Sequence, residues 1–177
     1  MPKFNFPTSF KRHLTQRDDV QAWIKSGTAD LDMVFCLRWS LQCAAQRRLH
    51  DEIQCNNDLR KFFARLERLL FAKDWKRKKL RRLVTLERTD GTNWHVHGMI
   101  ECPGMFTASE FAEVLDYVWR EHIKIEKSNA HTHRHLVWVE EKNTDNYGNY
   151  SIKNIGKHGT SIMARIGTLD LTNTYFG

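Results

Sequence analysis

Apolar and polar residues alternate along this chain with two periodicities, one typical of strands and one typical of helices. Residues 33–40, MVFCLRWS, are apolar and rich in β-favouring side chains, which predicts a first strand. The segments LVTLE and WHVHGMIE flank the polar stretch RTDGTN and predict a strand hairpin, and HRHLVWVEE predicts a further strand. From Leu59 the apolar residues recur at intervals of three and four, which predicts an amphipathic helix with a basic outer side.

Further helices are predicted by capping and spacing signals. Thr107 and Glu110 have the spacing of a capping box, and an apolar stripe follows them. A short helix is predicted near residues 19–25, and YGNYSIKNIGK is a helix candidate that Gly148 weakens. The resulting order of strand, helix, hairpin, helix, strand, helix favours an α+β layer fold, with helices on one face of a mainly antiparallel sheet.

The length of 177 residues predicts a single domain. Within residues 1–177 we expect an N-terminal arm (1–28), a core over about 33–158 and a C-terminal tail (160–177). The four cysteines lack metal-type spacing and no N-terminal apolar run is present, which predicts free thiols and a cytoplasmic protein. No apolar stretch approaches the ~18 residues of a membrane span, so no membrane partner is expected.

The net charge of the chain predicts a polyanionic partner. Lys and Arg total 28 against 21 Asp and Glu, a formal net charge of +7. The segment KDWKRKKLRR, residues 73–82, contains seven of these cations around one tryptophan. Such a run is often a solvated face, but here we predict that it contacts DNA phosphates and that its tryptophan stacks on a base. The predicted DNA-contacting residues of this run are Trp75, Lys76, Arg77, Lys78, Lys79, Arg81 and Arg82.

The predicted hairpin carries two histidines one residue apart, His95 and His97, with Glu87 eight residues before the first. Alternate residues of a strand point to the same face, so the two histidines share a face. A two-residue turn would send Glu87 to the other face, whereas a loop of three or five residues places it opposite His95. Only the longer loop keeps the apolar residues of both strands together. It predicts a buried face with Val84, Leu86 and Val96, and a second face with Thr85, Glu87, His95 and His97.

Two imidazoles and a carboxylate on a rigid hairpin predict an open site for a divalent metal ion, Mn²⁺ or Mg²⁺, with positions left for water or substrate oxygens. Two alternatives stay open. The histidines could be surface residues of a solvated sheet face, or Cys102 could join them in a structural zinc site if the strand breaks near Met99. The other alternating set, HTHRH at 131–135, we interpret as a polar strand end, because Arg134 stands where an apolar residue is needed.

The segment NYGNYSIKNIGK suggests a nucleophile. Tyr150 and Lys153 are three residues apart, on one face of the predicted helix, with Lys157 one turn further as a DNA contact. A phenolate can attack a phosphodiester while an ammonium neutralises the charge that develops. The same spacing is also frequent by chance. Tyr147 is a possible second nucleophile, but it lacks a lysine three residues on, so we expect one nucleophile.

The HVH segment, the upstream Glu87 and the YSIK segment together resemble the HUH endonucleases, and within them the rolling-circle replication initiators. The similarity covers roughly residues 33–158, with FCLRW as a loose first motif. It implies a ferredoxin-like antiparallel sheet with helices mainly on one face and the HUH hairpin in its centre. The metal ligands it implies are Glu87, His95 and His97, with Tyr150 as nucleophile and Lys153 as the motif lysine.

The resemblance also implies an activity. It is metal-dependent, site-specific nicking and joining of single-stranded DNA, often at an origin hairpin, through a 5′-phosphotyrosine intermediate. The chain contains no G-x-x-x-x-G-K-[ST] phosphate loop, so no helicase domain is expected, and a helicase and a polymerase would be separate partners. The alternatives are an HUH single-tyrosine transposase and, in a different class, a non-catalytic nucleic-acid-binding module.

Overall fold

The computed structural model describes residues 17–39, 52–89, 93–123, 136–142 and 169–177. These parts contain, in chain order, helix α1 (Arg17–Gly27), strand β1 (Met33–Arg38), helix α2 (Glu52–Phe71), strands β2 (Arg82–Thr89) and β3 (Asn93–Ile100), helix α3 (Ala108–His122) and strand β4 (Val137–Glu141). A short 3-10 turn, Ala72–Asp74, follows α2. The predicted mixture of helices with an antiparallel sheet is confirmed for the described part of the chain. The helix candidate at 147–157 lies outside it.

The four strands form one antiparallel sheet in the order β2-β3-β1-β4. Strands β3 and β1 are therefore the inner strands. Along the outer side of β2, the C-terminal segment 169–177 forms isolated bridges from Leu169 to Thr85 and from Tyr175 to Arg82. This pairing satisfies backbone groups that the edge of a sheet would otherwise expose.

The main hydrophobic core lies between one face of the sheet and helices α2 and α3. Alternate residues of β1 point to this face, so Phe35 and Leu37 are buried against the helices. Helix α3 begins with the predicted capping box, in which the Thr107 hydroxyl and the Glu110 carboxylate each accept the other residue's backbone N–H. Its Trp119 packs edge to face on Phe62 of α2, with ring centroids 5.1 Å apart. The two helices thus bury this face of the sheet.

A second, smaller cluster covers part of the opposite face of the sheet. It joins residues from α1, from the connection between α1 and β1, from each of the three strands β1–β3 and from the C-terminal segment: Ile24, Leu31, Val34, Leu83, Met99 and Leu169. Ile24 of the segment predicted as the arm and Leu169 of the segment predicted as the tail therefore belong to a core on the sheet. Sequence periodicity did not indicate this, because each segment contributes only one buried apolar side chain to the cluster.

Gly98 is required by close packing between β3 and β1. A Cβ atom at this position would lie 2.3 Å from the Phe35 ring and 2.5 Å from the backbone oxygen of Leu83. Both distances are far shorter than van der Waals contact, so any larger residue would force the strands apart. Gly98 follows His97 directly, and the same packing therefore holds the strand that carries both histidines.

A buried ion pair joins α2 to the start of β2. The Glu67 side chain is 2% exposed and accepts hydrogen bonds from Arg82 and from Lys79, each at 2.6 Å. Arg82 also donates to the backbone oxygens of Asn173 and Leu80 and lies over the Phe63 ring. Burial lowers the pKa of the Arg82 guanidinium, and the neighbouring Glu67 carboxylate opposes that shift.

We expect Glu67→Gln to lower the free energy of unfolding by about 3 kcal/mol, because it leaves the buried Arg82 charge without a counter-charge. Urea denaturation followed by circular dichroism measures this. The matched control is Glu113→Gln, an exposed carboxylate on α3, which should change the free energy by less than about 0.5 kcal/mol. Equal stability of the two variants would show that the ion pair does not support the fold.

Candidate metal centre

The predicted hairpin register is confirmed. Glu87 pairs with His95 and Thr85 pairs with His97 across the β2–β3 ladder. The last pair of the ladder is Thr89–Asn93, which excludes the two-residue turn that would have sent Glu87 to the other face. Since cross-strand partners share a face, Glu87 and both histidines project from the same side of the sheet. That side is opposite to helices α2 and α3, because Val84, Leu86 and Val96 belong to the main core.

The three side chains converge to the dimensions of a metal site. The Oε2 atom of Glu87 lies 3.5 Å from Nε2 of His95 and 4.0 Å from Nε2 of His97. One ligand atom from each residue lies within 4.8 Å of the others. The two imidazole rings stand nearly perpendicular, at 83°, with centroids 5.0 Å apart. These three residues are therefore the group among the described residues that could hold a metal ion.

The donor set and its spacing fit a divalent cation. Ligand atoms held at about 2.1 Å and at right angles around an ion lie about 3.0 Å from one another. The two carboxylate-to-imidazole distances exceed this value by only about 0.5–1 Å, which small side-chain rotations would close. One carboxylate and two neutral imidazoles suit Mn²⁺ better than Mg²⁺, which prefers oxygen ligands. Three protein ligands leave coordination positions for water or for a substrate oxygen.

The three ligand side chains are largely buried. The side chains of Glu87, His95 and His97 are 10%, 12% and 15% exposed. The buried Thr85 donates its hydroxyl hydrogen to the backbone oxygen of His97 at 2.9 Å. This bond ties the two strands together beside the ligands, on the same face, and restrains the backbone of His97. Partial burial matters because it strengthens the electrostatic attraction of the ligands for a cation.

The zinc alternative does not agree with the structure. It required β3 to break near Met99, but β3 continues through Met99 to Ile100. Cys102 packs against the main core, on the helix side of the sheet, and its thiol approaches the backbone oxygens of Pro103 and Phe106. Burial raises the pKa of this thiol, which disfavours the thiolate that zinc requires. Cys102 is therefore not a ligand of this site.

The strand order brings further residues to the face that carries the metal ligands. Cys36 of β1 pairs with His97 on one side and with Trp138 of β4 on the other. Arg38 pairs with His95. The alternation in MVFCLRWS indicates that Cys36 and Arg38 share a face, but the sequence contains no signal for which strand β1 adjoins. Their proximity to the ligands was for that reason missed by sequence reasoning.

The predicted DNA-contacting run is divided by the structure into buried and exposed cations. Arg82 is buried on Glu67, which removes it from the predicted phosphate contacts, and Lys79 shares the same carboxylate. Arg81 forms ion pairs with Glu101 and Asp30. The Trp75 ring has cations close to it, with the Arg68 guanidinium 4.4 Å and the Lys79 ammonium 5.1 Å from its centroid. The exposed cations of the run are Lys73, Lys76, Arg77 and Lys78.

These exposed cations are distant from the metal ligands. The run ends where β2 begins, whereas Glu87 lies near the other end of that strand. Five residues of strand separate Arg82 from Glu87, which corresponds to about 17 Å. The run therefore does not form a wall of the candidate metal centre.

Several predicted residues lie outside the part of the chain that the structure describes. They are the candidate nucleophile and its partners, and the second histidine set: Tyr147, Tyr150, Lys153, Lys157, His131, His133 and His135. Within the described residues, the candidate metal centre consists of Glu87, His95 and His97.

We expect Glu87→Gln to weaken Mn²⁺ binding by about 10-fold to 100-fold, since it replaces the charged ligand with a neutral one of the same shape. Isothermal titration calorimetry with MnCl₂ measures the affinity. The control is Glu140→Gln, an exposed carboxylate on the same face of the sheet, which pairs with Val34 and should bind Mn²⁺ as the wild type does. Unchanged affinity of the Glu87 variant would exclude this residue as a ligand.

The geometry defines a chemical capability: Glu87, His95 and His97 could hold a metal ion on the face of the sheet opposite α2 and α3. Of the helices in the described ranges, none combines the length and apolar character needed to cross a bilayer. Comparisons of the chain with protein-family models, with curated proteins and with solved structures give no match.

Proposed function

We propose that the chain is the nuclease of a rolling-circle replication initiator, which nicks and rejoins single-stranded DNA in a metal-dependent reaction. The observation that carries this proposal is the convergence of Glu87, His95 and His97 on one face of adjacent antiparallel strands. They are the three residues that the HUH resemblance implies as metal ligands. A mere pair of surface histidines would not require a carboxylate 3.5 Å from the first of them.

The chemistry follows from the charges of the ligand set. When bound, a divalent cation polarises the scissile phosphate and stabilises negative charge on its oxygens. Glu87 supplies one negative charge and the histidines are neutral donors, so the loaded centre keeps a net positive charge toward a phosphodiester. In the proposed reaction the Tyr150 oxygen forms a bond to phosphorus and the bond from phosphorus to O3′ breaks. The phenol proton is lost to solvent and O3′ gains one, which leaves a free 3′-hydroxyl and a 5′-phosphotyrosine.

The arrangement of elements supports the proposal at the level of the fold. Strand β1, helix α2, strands β2 and β3, helix α3 and strand β4 follow the β-α-β-β-α-β order of ferredoxin-like folds. Strand β3, which carries both histidines, is an inner strand of the sheet. A fold alone does not determine a function, so this agreement adds to the site and does not replace it.

The net charge of +7 supports a nucleic-acid substrate. The exposed turn formed by Lys76, Arg77 and Lys78 supplies cations that contact phosphates in the proposed complex. A transposase of the same chemistry and a non-catalytic binding module are the alternative outcomes of the tests below. Cleavage with joining of the cleaved end is shared by the initiator and the transposase, whereas binding without cleavage would favour the module.

We expect Tyr150→Phe to abolish nicking and adduct formation, because it removes the attacking oxygen, while DNA binding stays within a few-fold of wild type. The substrate is a pool of random single-stranded oligonucleotides, labelled at the 3′ end and incubated with Mn²⁺. Denaturing gels then detect label that is covalently attached to the protein.

The control for this variant is Tyr117→Phe, a tyrosine on α3 that is 59% exposed and should leave adduct formation unchanged. Adduct formation by the Tyr150 variant at the wild-type rate would contradict the assigned nucleophile. No adduct with the wild-type protein at any Mn²⁺ concentration, together with tight DNA binding, would favour the binding module.

We expect replacement of Lys76, Arg77 and Lys78 by alanine to weaken DNA binding for all sequences alike and to flatten its salt dependence. The slope of log K against log[salt] should fall by about 0.7 for each phosphate of the single strand that the variant no longer neutralises. Fluorescence anisotropy at several NaCl concentrations measures it. The control replaces Arg60 and Lys61, two exposed cations on α2, and should keep the wild-type slope. Equal slopes for both variants would show that the turn does not contact DNA.

A further inference from the structure

Arg38 lies beside the candidate metal centre. It is the last residue of β1 and pairs with His95 of β3, so its side chain leaves the sheet on the face that carries the metal ligands. Paired residues have Cβ atoms about 5 Å apart. The row Glu87–His95–Arg38 therefore runs across three adjacent strands, with Glu87 on one side of His95 and Arg38 on the other.

The backbone of Arg38 is fixed on both sides. Its N–H donates to the Leu136 oxygen at 2.8 Å, and its own oxygen accepts the indole N–H of Trp119 at 3.1 Å. Trp119 is fully buried between α2 and the sheet. The start of the Arg38 side chain is thus held as firmly as the core, which is the arrangement expected where a functional group must be positioned accurately.

The guanidinium itself is exposed and, among the described residues, has no ion-pair or hydrogen-bond partner. Four other arginines in the described ranges form ion pairs: Arg65 with Glu121, Arg81 with Glu101 and Asp30, Arg82 with Glu67, and Arg120 with Asp116. Arg60 and Arg77 are exposed as Arg38 is, but they do not lie beside the metal ligands. A guanidinium has five N–H donors in a planar fork that matches two oxygens of a phosphate. Arg38 is therefore available to an anionic ligand at the centre.

The charges of the metal centre and of a phosphodiester indicate what a cation at position 38 could do. A divalent ion with one carboxylate and two neutral histidines has a net charge of +1, which equals the charge of one phosphodiester in magnitude. Attack by an oxygen nucleophile adds negative charge to the phosphate oxygens in the transition state. A second cation beside the ligands would stabilise that additional charge, and it would do so more in the transition state than in the bound substrate.

We propose that Arg38 is a catalytic residue that binds the non-bridging oxygens of the phosphate at the candidate metal centre. This inference rests on the proposed phosphodiester chemistry for its role in the reaction. Arg38 makes and breaks no covalent bond and transfers no proton. Its N–H groups hydrogen-bond to the phosphate oxygens while the bond to the nucleophile forms and the bond to O3′ breaks.

The first test is the nicking rate of Arg38→Ala with saturating Mn²⁺ and DNA. We expect the rate to fall by about 100-fold, the usual effect of removing one such donor, with the Mn²⁺ affinity unchanged. Arg38→Lys keeps the charge without the fork and should be intermediate. The control is Arg60→Ala, which removes an exposed arginine on α2, on the other side of the sheet, and should nick at the wild-type rate. Equal rates for the Arg38 and Arg60 variants would overturn the proposal.

The second test separates Arg38 from the proposed nuclease function. Isothermal titration calorimetry with inorganic phosphate, on protein loaded with Mn²⁺, measures anion binding without any cleavage. Arg38→Ala should weaken this binding by at least about 10-fold, as expected for removal of a charge-assisted donor, and Arg60→Ala should not. If the wild-type protein fails to nick DNA but shows this difference, the nuclease assignment fails and the phosphate site stands. Phosphate binding that is absent from the wild type, or unchanged in Arg38→Ala, overturns the site itself.

Discussion

The cross-strand register of β2 and β3 is the constraint on which the candidate metal centre depends. Side chains of a strand alternate between faces, so a shift of one residue would separate Glu87 from both histidines. Packing on the opposite face prevents that shift, because the apolar partners of these strands are buried under α2 and α3. The Phe35 ring over Gly98 and the Thr85 hydroxyl on the His97 oxygen add two further restraints. Packing of the core therefore determines the register that brings the three ligands together.

The face that carries the ligands is divided along the strands. At one end the side chains are apolar, and α1 and the C-terminal segment cover them through residues such as Ile24 and Leu169. At the other end they are polar, and Glu87, His95 and Arg38 form one row across the sheet. The apolar end supplies burial that stabilises the fold, at about 25 cal/mol for each Å² removed from water. The polar end keeps its donors available to a ligand.

Sequence reasoning succeeded where a local pattern determines the structure. Alternation of apolar residues fixed the register at Glu87, and the Thr107–Glu110 spacing identified the start of α3. It failed where distant segments meet. Arg82 belongs to a basic run, and its burial depends on Glu67, which lies on the preceding helix. The position of Arg38 beside His95 depends on the order of strands in the sheet, which no periodicity encodes.

The net charge of this chain therefore differs from the charge that its exposed cations can offer to a ligand. Several cations that raise the net charge to +7 are bonded to carboxylates and stabilise the fold, as Arg82 and Lys79 are through Glu67. The exposed cations of the 76–78 turn lie at the end of the strands away from the ligands, whereas Arg38 lies beside them. Phosphate contacts at the turn would act on affinity for any sequence, and contacts at the metal face would act on the reacting phosphate. Binding and cleavage are thus separable along the length of the sheet, so a variant can be deficient in one and retain the other.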